Sequence, residues 1–193
     1  DTEVDDTCSC LRSLVDLGDA KANEEEPSAA LALYLKALHI LKALVPKTQI
    51  RGDRSGTDLA ALFVATLDKA QVVATLVDQD SASRQVWVPE SLVFREATHL
   101  CCEAAVQEKF EGPAALATVR TQFQKALRLL LCLWLAPDAT IDDRTALLPY
   151  VQPLVLHLQQ AHRDPVSVAL AKRCLARHSA RPDSTNRDRS MSY

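Results

Sequence analysis

The side chains that could do chemistry are scattered along this 193-residue chain. Cys8 and Cys10 have the spacing of half a metal site. A second half-site is missing, because Cys101 and Cys102 are adjacent and would point to different faces of a helix. The five histidines have no ligand spacing to one another: His39, His99, His157, His162 and His178. No serine, cysteine or carboxylate pair has the context of a catalytic site. The sequence therefore predicts no catalytic residue, no metal and no cofactor.

The composition favours a helical protein with a protein partner. A net charge of −3 and a pI near 6.0 argue against nucleic acid as the main partner. Alanine and leucine dominate, aromatic residues make up only 5% and there are four glycines, which favours an all-α fold. Six cysteines in mostly apolar patterns indicate a reducing, cytoplasmic compartment. The longest apolar run, residues 129–136, is far shorter than the ~18 residues of a membrane span.

Residues 29–41 predict the helix around which the chain is organised. Its inner face consists of residues at spacings of three and four: Ala30, Tyr34, Ala37, Leu38 and Leu41. Small alanines on either side of Tyr34 let neighbouring helices close on its ring. Residues 24–27, three acids and a proline, are typical of a helix N-terminus. We expect this helix to be the middle member of a three-helix unit.

Prolines, glycines and caps divide the chain further. The predicted helices cover residues 7–22, 27–45, 58–77, 89–112, 113–135, 141–162 and 164–178. Thr57 is the expected N-cap of the third helix and Pro46 the expected stop of the second. Thr140 and Asp143 predict a capping box for the sixth helix. Pro149 and Pro153 lie within that helix, and the sequence leaves open whether they break it. Residues 179–193 are polar and predicted to be disordered.

An internal repeat indicates the architecture. A shift of 89 positions carries Tyr34 onto Phe123 and aligns the small and apolar residues around them. We therefore predict two tandem three-helix bundles, residues 7–79 and 86–163, followed by a short basic helix and tail in residues 164–193. The predicted core includes Ala30, Tyr34, Ala37, Leu38, Leu41, Phe63, Ala70, Phe123, Ala126 and Leu127.

Two motifs carry a family resemblance. Residues 30–38, Ala-Leu-x-x-Tyr-x-x-Ala-Leu, resemble the second-helix signature of MIT domains, and residues 67–71, Leu-Asp-Lys-Ala-Gln, resemble their third-helix motif. Two such units in tandem resemble the C-terminal tandem MIT domain, also called EAT, of the ULK-type autophagy-initiating serine/threonine kinases. The second unit departs from the signature, because Phe123 replaces the tyrosine and Val119-Arg120 replaces Ala-Leu.

This resemblance implies a partner and a location. In that family the tandem domain binds amphipathic helices in the disordered region of a HORMA-bearing regulatory subunit, and it places the kinase at the phagophore assembly site, with possible peripheral membrane contact. The chain itself has no glycine-rich phosphate loop, no His-Arg-Asp and no Asp-Phe-Gly. We therefore expect a non-catalytic part of a longer kinase.

The expected binding sites are grooves between the first and third helices of each unit. An amphipathic helix can bury its apolar face in such a groove, and two grooves that bind one linked segment gain through effective concentration. The predicted groove residues are Leu62, Thr66, Lys69 and Val73 in the first unit and Val151, Leu154, Val155 and Leu158 in the second. The alternative, which the pattern favours for each apolar member, is that these residues belong to the core, because such stripes usually pack inward.

Two alternative functions remain open at this point. A TPR-type adaptor would share the spacing of Gly18, Ala30, Tyr34 and Ala37, although a second repeat should begin about 34 residues on, where residues 46–56 form a loop. An MIT adaptor of the endosomal membrane-scission or trafficking machinery, with no kinase attached, would have the same motifs.

Overall fold

The structure is a computed structural model that describes residues 2–49, 54–79, 87–111, 115–163 and 168–180. Within these residues every regular element is a helix. In chain order they are α1 (Thr2–Asn23), α2 (Pro27–Gln49), α3 (Arg54–Gln79), α4 (Pro89–Phe110), α5 (Leu116–Leu135), α6 (Ile141–Gln160) and α7 (Ala169–Ser179). The predicted all-α class is confirmed.

Specific hydrogen bonds fix the turn between α1 and α2 and the beginning of α6. Glu25 has a positive φ of 61°, and the amide of Glu26 donates to the carbonyl oxygen of Lys21 at 3.0 Å. This is the Schellman ending of α1, which lets Pro27 begin α2 at once. The predicted capping box of α6 is confirmed: Asp143 N–H donates to Thr140 Oγ1 at 3.1 Å, and Thr140 N–H donates to Asp143 Oδ2 at 2.8 Å.

The prolines and Thr57 do not end or begin helices where the sequence predicts. Pro46 does not stop α2, which continues to Gln49, because a proline within the last turn removes only one backbone bond. Helix α3 begins at Arg54, so Thr57 lies inside it and is not its N-cap. Pro149 and Pro153 do not break α6. Both prolines are exposed, so water can reach the carbonyl groups whose helical donors they remove.

The helices form two layers of packing that share one core. Helix α2 packs between α1 and α3, and α5 packs between α4 and α6, as the predicted three-helix units require. The two sets then pack on each other through α1 against α5 and α2 against α4. Across the α1–α5 contact the thiol of Cys132 donates to the carbonyl oxygen of Cys10 at 3.0 Å. The predicted linker between the units is residues 78–84; α3 continues to Gln79, and residues 80–84 lie outside the described residues.

Helix α7 is held against both sets of helices. It contacts α1, α5 and α6, and it buries Leu170, Ala171 and Cys174. Arg173 donates to the carboxylate of Asp6 on α1 at 2.9 Å. This helix is therefore a packed element. The predicted disordered tail was residues 179–193, but Ser179 is the last residue of α7 and Ala180 is its C-cap; residues 181–193 lie outside the described part of the chain.

Candidate functional site

The predicted core residues of α2 surround a polar contact that joins three helices. The hydroxyl of Tyr34 donates to Asp19 Oδ1 at 2.6 Å, and Lys69 Nζ of α3 donates to Asp19 Oδ2 at 2.6 Å. A Cβ atom at Gly18 would lie 2.6 Å from Cε1 of the Tyr34 ring, so only glycine lets the ring lie this close. Burial, together with the Asp19 carboxylate, raises the pKa of Tyr34.

The other predicted core residues lie in or beside the core. Ten were predicted, and two of them, Leu38 and Phe63, are half-buried against it. The remaining eight are buried: Ala30, Tyr34, Ala37, Leu41, Ala70, Phe123, Ala126 and Leu127.

The predicted groove residues of α3 are buried or half-buried. Thr66 and Val73 are buried, and the Thr66 hydroxyl donates to the carbonyl oxygen of Leu62 at 2.7 Å. Leu62 is half-buried, and Lys69 is drawn to Asp19 across the gap between the helices. Of these four residues, Lys69 is the one whose side chain is hydrogen-bonded to α1, and the other three lie wholly or partly within the packed structure.

The predicted groove residues of α6 also point into the core. Val151, Leu154, Val155 and Leu158 are all buried. Their stripe is the face that packs inward, whereas the next face of the same helix borders an open space. Leu154 lies at the boundary between the two faces and contributes to both.

The open space is a cavity of about 500 Å³ between α4 and α6, which we call the α4–α6 groove. The ring of Phe123 and the side chain of Leu130, both on α5, form its floor. Its walls come from Ala97, Thr98, Cys101, Cys102 and Ala105 on α4 and from Pro149, Tyr150, Pro153, Leu154 and His157 on α6. Most of these groups are apolar, so the groove suits an apolar ligand surface.

Contacts at the two ends fix the direction and length of the α4–α6 groove. Phe94 of α4 packs edge-to-face on Tyr150 of α6, with ring centroids 4.7 Å apart, and Glu108 of α4 meets His157 of α6 further along. The two walls therefore run parallel. From Ala97 to Glu108 a helix rises about 16 Å, which is three turns of a bound helix.

Spacing in the sequence contained a signal for this groove. Ala97, Cys101 and Ala105 recur every four residues on α4, and Pro149, Pro153 and His157 recur every four on α6. Such rows share a helix face. The prolines were interpreted only as helix breakers, so the face they form with His157 was overlooked.

At the far end of the groove the fold brings together three polar side chains. His157 Nε2 lies 3.0 Å from Glu108 Oε2, and His162 Nε2 lies 3.3 Å from Glu108 Oε1. The Phe123 ring packs against both imidazoles, with centroids 4.8 and 5.8 Å away. Sequence spacing does not predict that these histidines lie together, because their common partner is on another helix.

A second cavity of about 530 Å³ lies where α2 meets α4 and the start of α6. The buried Lys36 Nζ lies 2.6 Å from Glu90 Oε1 and 2.9 Å from Asp138 Oδ2. Burial acts to lower the pKa of Lys36, but the hydrogen bonds to Glu90 and Asp138 outweigh it and raise the pKa. This contact ties the two sets of helices together by charge.

The cysteines have structural surroundings. Cys8, Cys10, Cys132 and Cys174 are buried, and all six cysteines are thiols. Burial, with a smaller effect of Cys102, raises the pKa of Cys101 to about 11, so its reactive thiolate is scarce at neutral pH. Cys8 and Cys10 are not part of a cluster of metal-type donors within the described residues.

Helix α3 presents an apolar surface on the opposite side from its core stripe. Val64 is 57% exposed, Val72 63% and Leu76 50%. By length and composition alone, residues Gly56–Val77 could span a membrane, as could Pro27–Pro46 of α2. The α2 stretch is half-buried as a core helix, whereas only 17% of the α3 stretch is buried. Asp68 is exposed among these α3 residues. We call Val64, Val72 and Leu76 the α3 surface.

Comparison of the chain with protein families, with curated proteins and with solved structures finds no match in any of the three. The functional conclusion therefore rests on the α4–α6 groove, on the α3 surface and on the motifs within the sequence.

Proposed function

We propose that this chain is a non-catalytic protein-interaction module whose α4–α6 groove binds one face of an amphipathic helix. The observation that carries the proposal is the groove itself, an apolar cavity of about 500 Å³ between two parallel helices. Helix-in-groove recognition requires an elongated apolar channel that accepts side chains at i, i+3, i+4 and i+7. The floor of Phe123 and Leu130 supplies the apolar contact for those side chains.

The size of the groove predicts weak binding. Each large apolar anchor that becomes fully buried contributes ~1.5–3 kcal/mol. Three turns of helix offer about three anchors on one face, and the ordering of a disordered partner costs about 2–5 kcal/mol of this. The remaining free energy is at most about 7 kcal/mol, which corresponds to a dissociation constant no tighter than about 10 µM, and about 4 kcal/mol would correspond to about 1 mM.

The rim of the groove offers polar selectivity. Pro149 and Pro153 lack backbone N–H groups, so the carbonyl groups one turn before them have no i+4 donor at this edge. Asparagine, glutamine, lysine or arginine side chains at the flank of a partner helix can donate to these carbonyl groups. Glu108 adds a carboxylate at the far end. The best partner helix is therefore apolar on one face and basic or amide-bearing beside it.

We propose that the partner helix belongs to the HORMA-bearing regulatory subunit of an autophagy-initiating serine/threonine kinase complex, and that the chain places this complex at the phagophore assembly site. The motifs in residues 30–38 and 67–71 and the two three-helix sets support this proposal. The α3 surface is the second docking site in this proposal. Two weak sites on one linked partner segment would bind it more tightly than either site alone.

Calorimetric titration with the C-terminal disordered segment of the HORMA-bearing subunit from the same organism tests this function. Ala105→Glu places a charge in the groove at an exposed position, and Val72→Glu does the same on the α3 surface. Ala117→Glu, exposed on α5 and outside the groove, is the matched control. We expect the first variant to weaken binding at least tenfold, the second to weaken it less, and the control to bind as the wild type.

Each contrary result removes a defined part of the proposal. If the folded wild-type chain does not bind the segment, the proposed role in the kinase complex is wrong. An adaptor of the membrane-scission or trafficking machinery is then the better-supported function. If the chain binds but Ala105→Glu behaves like Ala117→Glu, the partner does not use the α4–α6 groove.

A further inference from the structure

We propose that Glu108, His157 and His162 form a binding site for a divalent transition metal, with Zn²⁺ as the best fit. The site shares Glu108 and His157 with the far end of the α4–α6 groove, but metal binding is measured without any partner, so its failure and the failure of the docking function are distinguishable. Within the described residues these three side chains are the one cluster in which donor atoms of metal-ligand type converge, and the atoms all lie within 4.8 Å of one another.

The distances between the donor atoms suit a tetrahedral ion. Zn²⁺ binds imidazole nitrogen and carboxylate oxygen at about 2.0–2.2 Å, which places neighbouring ligand atoms roughly 3.3 Å apart. The two histidine–carboxylate separations are 3.0 and 3.3 Å. The two imidazoles face different oxygens of the Glu108 carboxylate, and one donor atom from each residue lies within 4.8 Å of the others, so modest side-chain shifts would bring all three donors onto one ion.

Two helices and one chain reversal position the ligands. Glu108 lies in the last turn of α4 and His157 in the last turn of α6. His162 follows the C-cap of α6 just before Arg163, whose positive φ of 48° turns the chain. The ligands therefore come from elements that pack separately on α5, and a bound ion would join the ends of α4 and α6.

The cluster is enclosed on one side and opens toward the α4–α6 groove on the other. The side chain of His162 is 3% exposed, that of Glu108 27% and that of His157 37%. The Phe123 ring backs both imidazoles. Glu108 and His157 also line the α4–α6 groove. A fourth coordination position would therefore face the groove, where water or a partner side chain can fill it.

The donor set selects the class of metal. Two imidazoles and one carboxylate suit Zn²⁺, Co²⁺ and Ni²⁺, whereas Ca²⁺ and Mg²⁺ prefer sites made only of oxygen. Three protein ligands with one open position resemble the coordination of catalytic zinc sites, whereas structural zinc sites have four protein ligands.

Titration of the full chain with ZnCl₂ and with CoCl₂ tests the site. The measurements are made on a Cys101→Ser/Cys102→Ser background, because these two thiols line the same groove. Co²⁺ absorption then reports the geometry and any sulfur ligand. We expect one ion per chain, a tetrahedral Co²⁺ spectrum without sulfur charge transfer, and a higher melting temperature with Zn²⁺.

Three variants and a control identify the ligands. Glu108→Gln, His157→Gln and His162→Gln each remove a ligand, and each should lower the Zn²⁺ affinity more than tenfold, since even the supporting partners of ligands are worth roughly 10–100-fold. His99→Gln removes an exposed histidine that pairs with Glu103 and should change nothing. His157 is the most exposed of the three ligands, so its variant keeps the test decisive if the buried His162 is needed for folding.

The proposal is overturned by any of three results: no ion binds, the ligand variants bind Zn²⁺ as tightly as His99→Gln does, or a sulfur charge-transfer band shows that other cysteines hold the ion.

Discussion

The two three-helix sets place related residues at one position and use them differently. The shift of 89 residues that carries Tyr34 onto Phe123 also carries Asp19 onto Glu108. In the first set the carboxylate accepts hydrogen bonds from Tyr34 and from Lys69 of the third helix. In the second set the aromatic ring has no hydroxyl, and the carboxylate faces two histidines at the end of the third helix.

This difference changes what lies between the helices of each set. The Tyr34–Asp19–Lys69 contact joins α1, α2 and α3. Phe123 cannot donate a hydrogen bond, so its ring remains as an apolar floor beneath α4 and α6. The second set therefore has an apolar ring at the position where the first set has a polar contact.

The largest expected effect tests whether the two sets unfold together. Leu41 and Leu130 are equivalent, buried positions, and truncation of either to alanine should lower the free energy of unfolding by about 2–5 kcal/mol. Tryptophan fluorescence reports the second set, because Trp134 lies within it and Trp87 lies near it. Since α1 packs on α5, Leu41→Ala should shift the midpoint of the fluorescence transition together with that of the circular dichroism transition. A fluorescence midpoint that stays in place would instead show two independently folding domains.

Gly18→Ala tests the close approach of α1 to the Tyr34 ring. The added Cβ would overlap ring atoms at 2.6 and 2.9 Å, and such overpacking costs about 1–3 kcal/mol. Urea denaturation measures the loss. The equivalent position in the second set is Gln107, so Gln107→Ala is the matched control, with a smaller expected effect. Equal losses of stability at both positions would mean that the first set is no more tightly packed around its aromatic ring than the second.

Tyr34→Phe makes the first set resemble the second. Loss of the hydrogen bond to Asp19 should cost about 1.5 kcal/mol, the low end for bonds to charged groups, because Asp19 keeps Lys69 and part of its contact with water. Thermal and urea denaturation measure this loss. Tyr150→Phe at the groove rim is the control and should change stability little. If the Tyr34→Phe variant is as stable as the wild type, the hydroxyl does not stabilise the first set.

The smallest expected effect concerns the charge contact between the two sets. The hydrogen bond from Lys36 holds the pKa of Asp138 below its ordinary value of 3.8. A lowered pKa in the folded state stabilises the protein above pH 3.8, and this contribution is lost as the pH falls through the lowered value. Asp138→Asn should therefore cost up to about 1 kcal/mol near neutral pH and nothing in strong acid.

Urea titrations across this pH range measure the difference between wild type and Asp138→Asn, with Asp68→Asn on the exposed side of α3 as the control. A difference that stays constant with pH would show that the Asp138 side chain contributes by packing rather than by charge.

Local rules in the sequence were enough for the all-α class, the face of α2 around Tyr34 and the capping box of Thr140 and Asp143. These features depend on residues within one or two turns of each other, so spacing and type specify them. The end of α2 beyond Pro46 and the start of α3 before Thr57 were predicted incorrectly, because a proline or threonine fits more than one position in a helix turn.

Tertiary packing alone decided the groove and the histidine cluster. The stripe of Val151 and Leu158 was the obvious apolar face of α6, but α5 covers it, so the neighbouring face with Pro149 and Pro153 became the groove wall. Glu108 meets His157 and His162 only because α4 and α6 end side by side on α5. A periodic pattern shows that a face is apolar, but the rotation of each helix against its neighbours decides whether that face meets the core or a ligand.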